Sequence, residues 1–218
     1  MSERIAKDAL FDGLVAAAKA LASGRRAEIV DVLAQGERSV EEIADEIGQS
    51  VANTSQHLQQ LLRAGLVRTR RDGTRIYYAL STDQVGQLWA LMRDVAAQHV
   101  GEIDRLAVAY LGDRSQLDVM SRAELKRRLG RRDVVVLDVR PEVEYEAGHI
   151  SGALSVPIDE LKRRLRALPD DTSFVAYCRG PFCAYAAEAV RHVSHPGFRA
   201  ARLTVASPDC ARRQPTLD

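Results

Sequence analysis

The chain has 218 residues, enough for one large domain or two small ones, and at 46% hydrophobic it can bury real cores, which excludes pervasive disorder. Its formal net charge is only +1, which selects no partner for the chain as a whole, and aromatics at 5% are too few for a single-strand stacking platform. Three cysteines make no disulfide framework, no secretory signal opens the chain and no apolar run approaches the roughly 20 residues of a membrane span, so the expectation is a soluble, cytoplasmic protein with no membrane partner.

Up to about residue 112 the apolar residues recur mostly at helical spacing. Leu10, Leu14, Val15, Ala18 and Leu21 predict one amphipathic helix, and Ile29, Val30 and Leu33 a second. Ser39 caps a short helix, Val40 to Ile47, with Glu42 completing a capping box and Gly48 as the stop. Ser50 or Asn53 caps the next helix, which runs through Leu58, Leu61 and Leu62 to Gly65. The period then switches to two: residues 66–71 and 74–79 flank Asp72-Gly73, a strong hairpin signal. A long helix from about Asp83 to Tyr110 follows.

After a polar link, Gly112 to Gln116, the grammar changes. Leu125 sits in a helix. Val134 to Leu137 is a continuous apolar run, as in a buried parallel strand. Ser155-Val156 reads as a short strand, Leu161 to Leu168 as a basic helix closed by Pro169, Phe174 to Tyr177 as a second buried strand and Ala184 to His192 as a helix. Strands alternating with helices predict α/β structure with a parallel sheet. The expected architecture is two domains, 1–112 and 117–218: a mainly-α winged helix-turn-helix followed by an α/β domain.

Helix, short helix, turn, helix and basic hairpin is the winged helix-turn-helix order. The second helix of the motif offers Ser50, Asn53, Thr54, Gln56, His57 and Gln60 to base edges or phosphates. The charge is local. Residues 1–112 hold 13 Lys/Arg against 15 Asp/Glu, whereas 63–75 hold Arg63, Arg68, Arg70, Arg71 and Arg75 against Asp72 alone. A basic ribbon on an acidic domain suits phosphate contact. Solubilising arginines on an exposed hairpin are the plainer alternative, and the preceding helix-turn-helix weighs against it. The run Ser50 to Val67, with His57-Leu58, Leu61 and Ala64-Gly65-Leu66-Val67, resembles the recognition helix and the start of the wing in ArsR/SmtB-type repressors, over about residues 8–110. The resemblance implies a homodimer built from the first helix and the long helix after the wing, bound to inverted-repeat duplex operator DNA and released by an inducer. Many such repressors sense thiophilic metals through cysteines, but residues 1–112 contain none. His99 and Glu102, one turn apart near Asp94, are more simply a solvated helix face than a zinc site. No metal and no cofactor are expected.

The segment Tyr177-Cys178-Arg179-Gly180-Pro181-Phe182-Cys183-Ala184 carries the chemistry. A strand–loop–helix puts Cys178 at the carboxyl end of a strand, where α/β proteins place their sites. Successive N–H groups of a tight loop around Gly180, and the N-terminus of the following helix, stabilise an anion. Cys178 is therefore expected to titrate below the free value of about 8.5, with Arg179 as a cation beside it. Such a thiolate attacks a sulfane sulfur and holds it as a persulfide. A phosphatase-type loop needs an arginine six residues after its nucleophile; Ala184 stands there, which disfavours phosphoryl chemistry. The run Leu137 to Ala153, with Asp138, Arg140 and His149, resembles the upstream signature of rhodanese sulfurtransferases, and with the Cys178 loop the resemblance covers about 118–203. It implies bracing roles for Asp138, Arg140 and His149, and the pairing of domains resembles ArsR–rhodanese fusion regulators. Cys183 is placed either to bridge to Cys178 as a disulfide or polysulfide, or to pack under the loop.

After Leu203 the chain departs from the rhodanese pattern, which continues with an Asp-Gly-Gly turn and a helix bearing Trp. If Leu203 to Pro208 are encoded CTG-ACG-GTG-GCG-TCC-CCN, the neighbouring frame reads Asp-Gly-Gly-Val-Pro, and a frameshift explains the tail; Cys210 is then a bystander. The expected function is a transcriptional regulator, a repressor, that senses or transfers sulfane sulfur from thiosulfate, polysulfide or a persulfide through Cys178. Two alternatives stay open: a sulfurtransferase enzyme carrying a DNA-binding module, and a thiol–disulfide sensor using Cys178 and Cys183.

Overall fold

The short helix Val40–Glu46 begins where the sequence says it must. Ser39 Oγ accepts from the Glu42 N–H (3.3 Å) and Glu42 Oε2 accepts from the Ser39 N–H (2.7 Å), the reciprocal capping box. Gly48 follows with φ +59°, a left-handed turn that ends the helix at little cost for a residue without Cβ. Ser50, not Asn53, caps the next helix, because its Oγ accepts from the Asn53 N–H.

The computed structural model describes residues 3–131, 134–165, 173–193 and 199–203. The chain divides into two units, one ending at Leu91 and one starting at Met92. In the first, α1 (Glu3–Leu14), α2 (Ala16–Leu21), α3 (Gly24–Leu33), β1 (Arg38–Ser39), α4 (Val40–Glu46), α5 (Val51–Arg63), β2 (Val67–Asp72) and β3 (Arg75–Leu80) follow in order. The expected single helix through Leu10–Leu21 is two, broken at Val15 (φ −88°, ψ 1°). The strands pair antiparallel in the order β1-β3-β2, and Asp72 opposite Arg75 closes the hairpin through Gly73 at φ +59°. Ile29, Leu33, Ile43, Leu58 and Leu61 form the buried centre that holds the two motif helices at a fixed angle.

Next come α6 (Asp83–His99) and α7 (Glu102–Leu111). A continuous helix to Tyr110 was the expectation; the structure breaks it at Val100-Gly101, where glycine costs about 1 kcal/mol in a helix interior. Trp89 on α6 donates to Asp31 Oδ1 at 2.6 Å, fixing the start of this helix to α3.

The second unit continues with β4 (Val119–Met120), α8 (Arg122–Arg131), β5 (Val135–Asp138), α9 (Glu142–Ala147), β6 (Leu154–Ser155), α10 (Leu161–Leu165), β7 (Ser173–Tyr177), α11 (Tyr185–Val193) and β8 (Arg199–Leu203). Among the described residues the strands form one parallel sheet, β4-β8-β7-β5-β6, as an α/β domain requires. The expected continuation of α10 to Leu168, the tail after Leu203 and Cys210 lie outside the described residues. Among the described residues no helix is long and apolar enough to cross a membrane.

A charged cluster locks the carboxyl ends of β5 and β7. Arg140, 1% exposed at its side chain, donates from Nε to Asp138 Oδ1 (2.9 Å) and from Nη2 to Asp138 Oδ2 (2.6 Å) and to the Gly148 carbonyl (2.8 Å). The Tyr177 hydroxyl donates to Asp138 Oδ2 (2.5 Å) and accepts from the Ile150 N–H (3.1 Å). Burial, with the Asp138 charge second, drives the Tyr177 hydroxyl far above the usual phenol range, so it is a permanent donor here. Because Tyr177 immediately precedes Cys178, this cluster fixes where the loop begins. Replacing Asp138 by Asn leaves Arg140 buried without its counter-charge. The expected cost is about 3–5 kcal/mol, read as a lower urea midpoint for the unfolding of the α/β unit.

Candidate DNA-binding face and cysteine site

On α5, Ser50, Asn53 and Gln56 are exposed and His57 half-buried. Thr54 is a correction: it is fully buried, its Oγ1 has no hydrogen-bond partner, and it belongs to the packed side of the helix one turn before Leu58. His57 Nδ1 is likewise turned into the protein, and Gln60 Oε1 accepts from Arg26 Nη1 at 2.6 Å. Of the expected contact residues, Asn53, Gln56 and the capping Ser50 are exposed, as are Gln59 and the Arg26-bonded Gln60 of the same helix.

The wing arginines differ from one another. Arg68, Arg70, Arg71 and Arg75 are all exposed. Arg70 is engaged: Nη2 donates to Glu37 Oε1 (2.6 Å), Nη1 reaches Asp72 Oδ2 (3.3 Å), and its guanidinium lies 4.8 Å from the Tyr77 ring centroid. Two carboxylates already offset that charge, so its field on a phosphate is the weaker. Arg71 Nε donates to the Gly73 carbonyl (3.1 Å). The spacing within the hairpin gave no sign of Glu37, 33 residues before Arg70.

Cys178 is buried at the end of β7, in the loop that leads to α11. Its Sγ donates to the Gly180 carbonyl at 3.9 Å, and the Cys183 N–H donates to that same carbonyl at 3.2 Å, so the loop is a tight turn around its own cysteines. The N–H groups of Ala186 and Gly180 favour ionisation of Cys178, and those of Tyr185 and Arg179 favour that of Cys183. The charge falls otherwise than expected. Burial, then the hydrogen bond and charge shared with Cys183, push the Cys178 thiol well up. The hydrogen bond from Cys178 brings Cys183 down. Of the two thiols, Cys183 is the more readily ionised.

Arg179 is the second correction. Its guanidinium grips the buried Glu144 of α9, with Nε 3.1 Å from both carboxylate oxygens and Nη2 2.5 Å from Oε1, and lies 5.6 Å from the Tyr185 ring. It braces the loop against α9, and its charge is felt at Cys183 rather than at Cys178. Glu144 was missed because nothing local marks a partner 35 residues upstream. His149 stacks on Tyr145 with centroids 3.7 Å apart, and its Nδ1 lies 2.9 Å from the Tyr145 carbonyl, a bracing place away from the sulfur. Among the described residues no group of three His, Cys, Asp or Glu is arranged to hold a metal.

A winged helix-turn-helix with a basic wing, followed by a parallel α/β domain with a cysteine loop, defines a DNA-binding transcriptional regulator carrying a second, sulfur-bearing domain. Residues 23–69 match the family model described as bacterial regulatory protein, arsR family, and residues 121–203 match that of the rhodanese-like domain. The HTH-type transcriptional regulator Rv0324 of Mycobacterium tuberculosis is 46% identical over 197 residues, 90% of this chain and 86% of that protein. The HTH-type transcriptional regulator KmtR of the same organism is 47% identical over 68 residues, 31% of this chain and 52% of its own. A solution structure of the homodimeric winged helix-turn-helix DNA-binding domain Mb0332 from Mycobacterium bovis is similar at 46% identity and TM-score 0.42, covering 47% of this chain and 93% of that one. The chain belongs to the ArsR family of helix-turn-helix transcriptional regulators, with a rhodanese-like domain at its C-terminal side. The rhodanese match ends at Leu203, where the sequence departs from the pattern.

Two measurements check these assignments. Arg68→Ala is expected to weaken DNA binding across sequences and to reduce the slope of log affinity against log salt by roughly 0.9 for each phosphate that is no longer neutralised, whereas Thr54→Val leaves the slope unchanged; equal slopes for Arg68→Ala and wild type remove Arg68 from the interface. For the thiols, Cys183→Ala deletes the two Cys183 influences that raise Cys178. The pH profile of Cys178 alkylation is then expected to move to lower pH, and a profile that stays put or moves up contradicts the coupling of Cys178 to Cys183.

Proposed function

We propose that this protein is a homodimeric cytoplasmic repressor whose operator affinity is set by sulfane sulfur on Cys178. The observation that carries the reading is a buried cysteine at the carboxyl end of a parallel strand, in a tight loop where its sulfur and the N–H of a second cysteine five residues on share the Gly180 carbonyl. The donor is thiosulfate, polysulfide or a small persulfide. Ionised Cys178 attacks the outer sulfur of the donor. A sulfur–sulfur bond forms at Cys178, the donor's own sulfur–sulfur bond breaks, and its electron pair leaves with the remainder, sulfite in the case of thiosulfate. The same amides then hold the anionic persulfide. The proton shared with Cys183 is the handle: when Cys183 carries the charge it withdraws the Cys178 proton as attack proceeds.

The homodimer is supported by unpartnered apolar faces. Phe11 and Leu14 on α1, and Leu91 and Val95 on α6, are all more than half exposed, and a second copy covers them in the arrangement that the family resemblance implies. Duplex operator DNA then meets two copies of α5, with Ser50, Asn53 and Gln56 towards the groove and Arg68, Arg71 and Arg75 along the backbone.

A second reading is favoured by the contact between the thiols. The Cys183 thiolate attacks the Cys178 side of the persulfide, forms a disulfide and expels hydrosulfide, so that the stored signal is a bridge. A third, the sulfurtransferase, differs in that turnover matters and DNA binding ignores the donor.

One titration separates them: operator binding with and without inorganic polysulfide, on wild type, Cys178→Ser and Cys183→Ala. The leading reading expects the donor to weaken binding in wild type, to have no effect in Cys178→Ser, and to act still in Cys183→Ala. Loss of the response in Cys183→Ala selects the bridge. Brisk thiosulfate turnover with a donor-independent affinity in wild type selects the enzyme and ends the proposal.

A further inference from the structure

Glycine at 180 has a reason that lies outside the cysteine loop. A Cβ built there comes within 3.2 Å of Arg93 Nη1 and 3.7 Å of its Cζ, so the flat guanidinium of Arg93 occupies the space that any side chain at this position would take. Arg93 lies on α6, is 8% exposed, and has Asp94 Oδ1 at 3.7 Å from its Nε. The next residue of the loop is held as well: Arg114 Nη1 donates to the Pro181 carbonyl at 2.7 Å. The segment that carries Arg114 is fixed in turn by Arg191 of α11, whose Nη2 donates to the carbonyls of Leu111 (3.0 Å) and Asp113 (3.1 Å). Thus two residues from before the rhodanese-like domain's signature contact the two residues that follow Cys178-Arg179.

We propose that Arg93 and Arg114 are the positioning residues through which the chemical state of the Cys178 loop is transmitted to the DNA-binding part of the chain. The inference rests on the reading that sulfur added at Cys178 changes operator affinity, and it names the route of that regulation.

Steric and electrostatic effects act together along this route. Cys178 is buried, and its sulfur already contacts the Gly180 carbonyl. A further sulfur atom adds volume beside that carbonyl, and added volume in a packed site is accommodated by shifts of side chain and backbone. On the Gly180 side the way is closed by Arg93. The added sulfur is also anionic. Burial, with Arg202 and Arg191 nearby, pushes the Arg114 guanidinium down, and negative charge on Cys178 pushes it back up, so Arg114 senses that charge. Arg93 stands one helical turn after Trp89, the residue of α6 that donates to Asp31 on α3. A shift or rotation of Arg93 is therefore imposed on the helix that is bonded to the helix-turn-helix core.

The test uses the full-length chain, inorganic polysulfide as donor, and a duplex selected from random sequences by the wild-type protein. Two quantities are read for wild type, Arg93→Gln, Arg93→Lys and Arg114→Gln: sulfur gained at Cys178 by intact mass and peptide mapping, and the ratio of operator affinities before and after sulfur addition. A coupling of ordinary size gives wild type a ratio of about 5 to 150. In Arg93→Gln and Arg114→Gln the sulfur adds to the wild-type extent while the ratio collapses towards one, and Arg93→Lys recovers part of it. Full sulfur addition with a wild-type ratio in both Gln variants overturns the inference and leaves the regulatory reading standing. A wild-type protein that takes up sulfur with no change in affinity ends the reading itself. Gly180→Ala is the independent arm should Arg93→Gln fail to fold: by pushing a Cβ against Arg93 it is expected to move the affinity of the unmodified protein in the direction that sulfur does, and an unchanged affinity there overturns the inference.

Discussion

A buried thiol coupled to a half-buried one is the constraint on which the cysteine site depends. A lone thiolate at this depth would be costly, because burial penalises the charged form more than any single amide repays. The loop divides the task. The N–H groups of Ala186 and Gly180 favour ionisation of one sulfur, those of Tyr185 and Arg179 that of the other, and the coupling between the sulfurs raises Cys178 while it lowers Cys183. The consequence is an uneven pair: Cys178 is the harder of the two to ionise and Cys183 the easier.

The surrounding arginines fall into two groups. Arg140 and Arg179 are matched to buried carboxylates, Asp138 and Glu144, and their work is to hold loops in place. Removing either carboxylate strands a buried cation, so these pairs resist change more than they attract ligands. Arg114 bonds a main-chain carbonyl and lies within the influence of Arg191, Arg202 and Cys178. The field at the sulfur therefore responds to cations that the loop itself does not supply.

Much of the first unit was legible because its signals are local. The Ser39–Glu42 capping box, the Gly48 stop and the Asp72-Gly73 turn each operate within four residues, and all three appear in the structure. The buried strands β5 and β7 were legible as apolar runs. What escaped is non-local or featureless. β8, Arg-Ala-Ala-Arg-Leu, has no apolar run and is a strand only because β7 and β4 pair with it. Glu37, Glu144, Arg93 and Arg114 act on groups between 33 and 87 residues away in the sequence, distances that no periodicity encodes. Thr54 misled because a threonine among Asn, Gln and His has the look of a polar face, while the helix phase fixed by Leu58 and Leu61 turns it inward. Arg179 misled because proximity in sequence to Cys178 says nothing of where a long side chain finds its carboxylate.

The thiol chemistry of the chain lies outside its winged helix. Residues 1–112 contain no cysteine, so thiophilic chemistry has no foothold within the winged helix itself. Among the described residues the cysteines, Cys178 and Cys183, both lie in the α/β unit. An α-helix advances about 1.5 Å per residue and is rigid over a few turns, and α6 is such an element, with Trp89 anchored near its start and Arg93 one turn on. The break at Val100-Gly101 then acquires a meaning beyond glycine's poor helix propensity. A continuous helix to Leu111 would bind the segment that bears Arg114 to the axis of α6. An interrupted one lets Arg93 and Arg114 approach adjoining residues of one loop from two different stretches of backbone, an arrangement that a single straight helix does not allow for positions 21 residues apart.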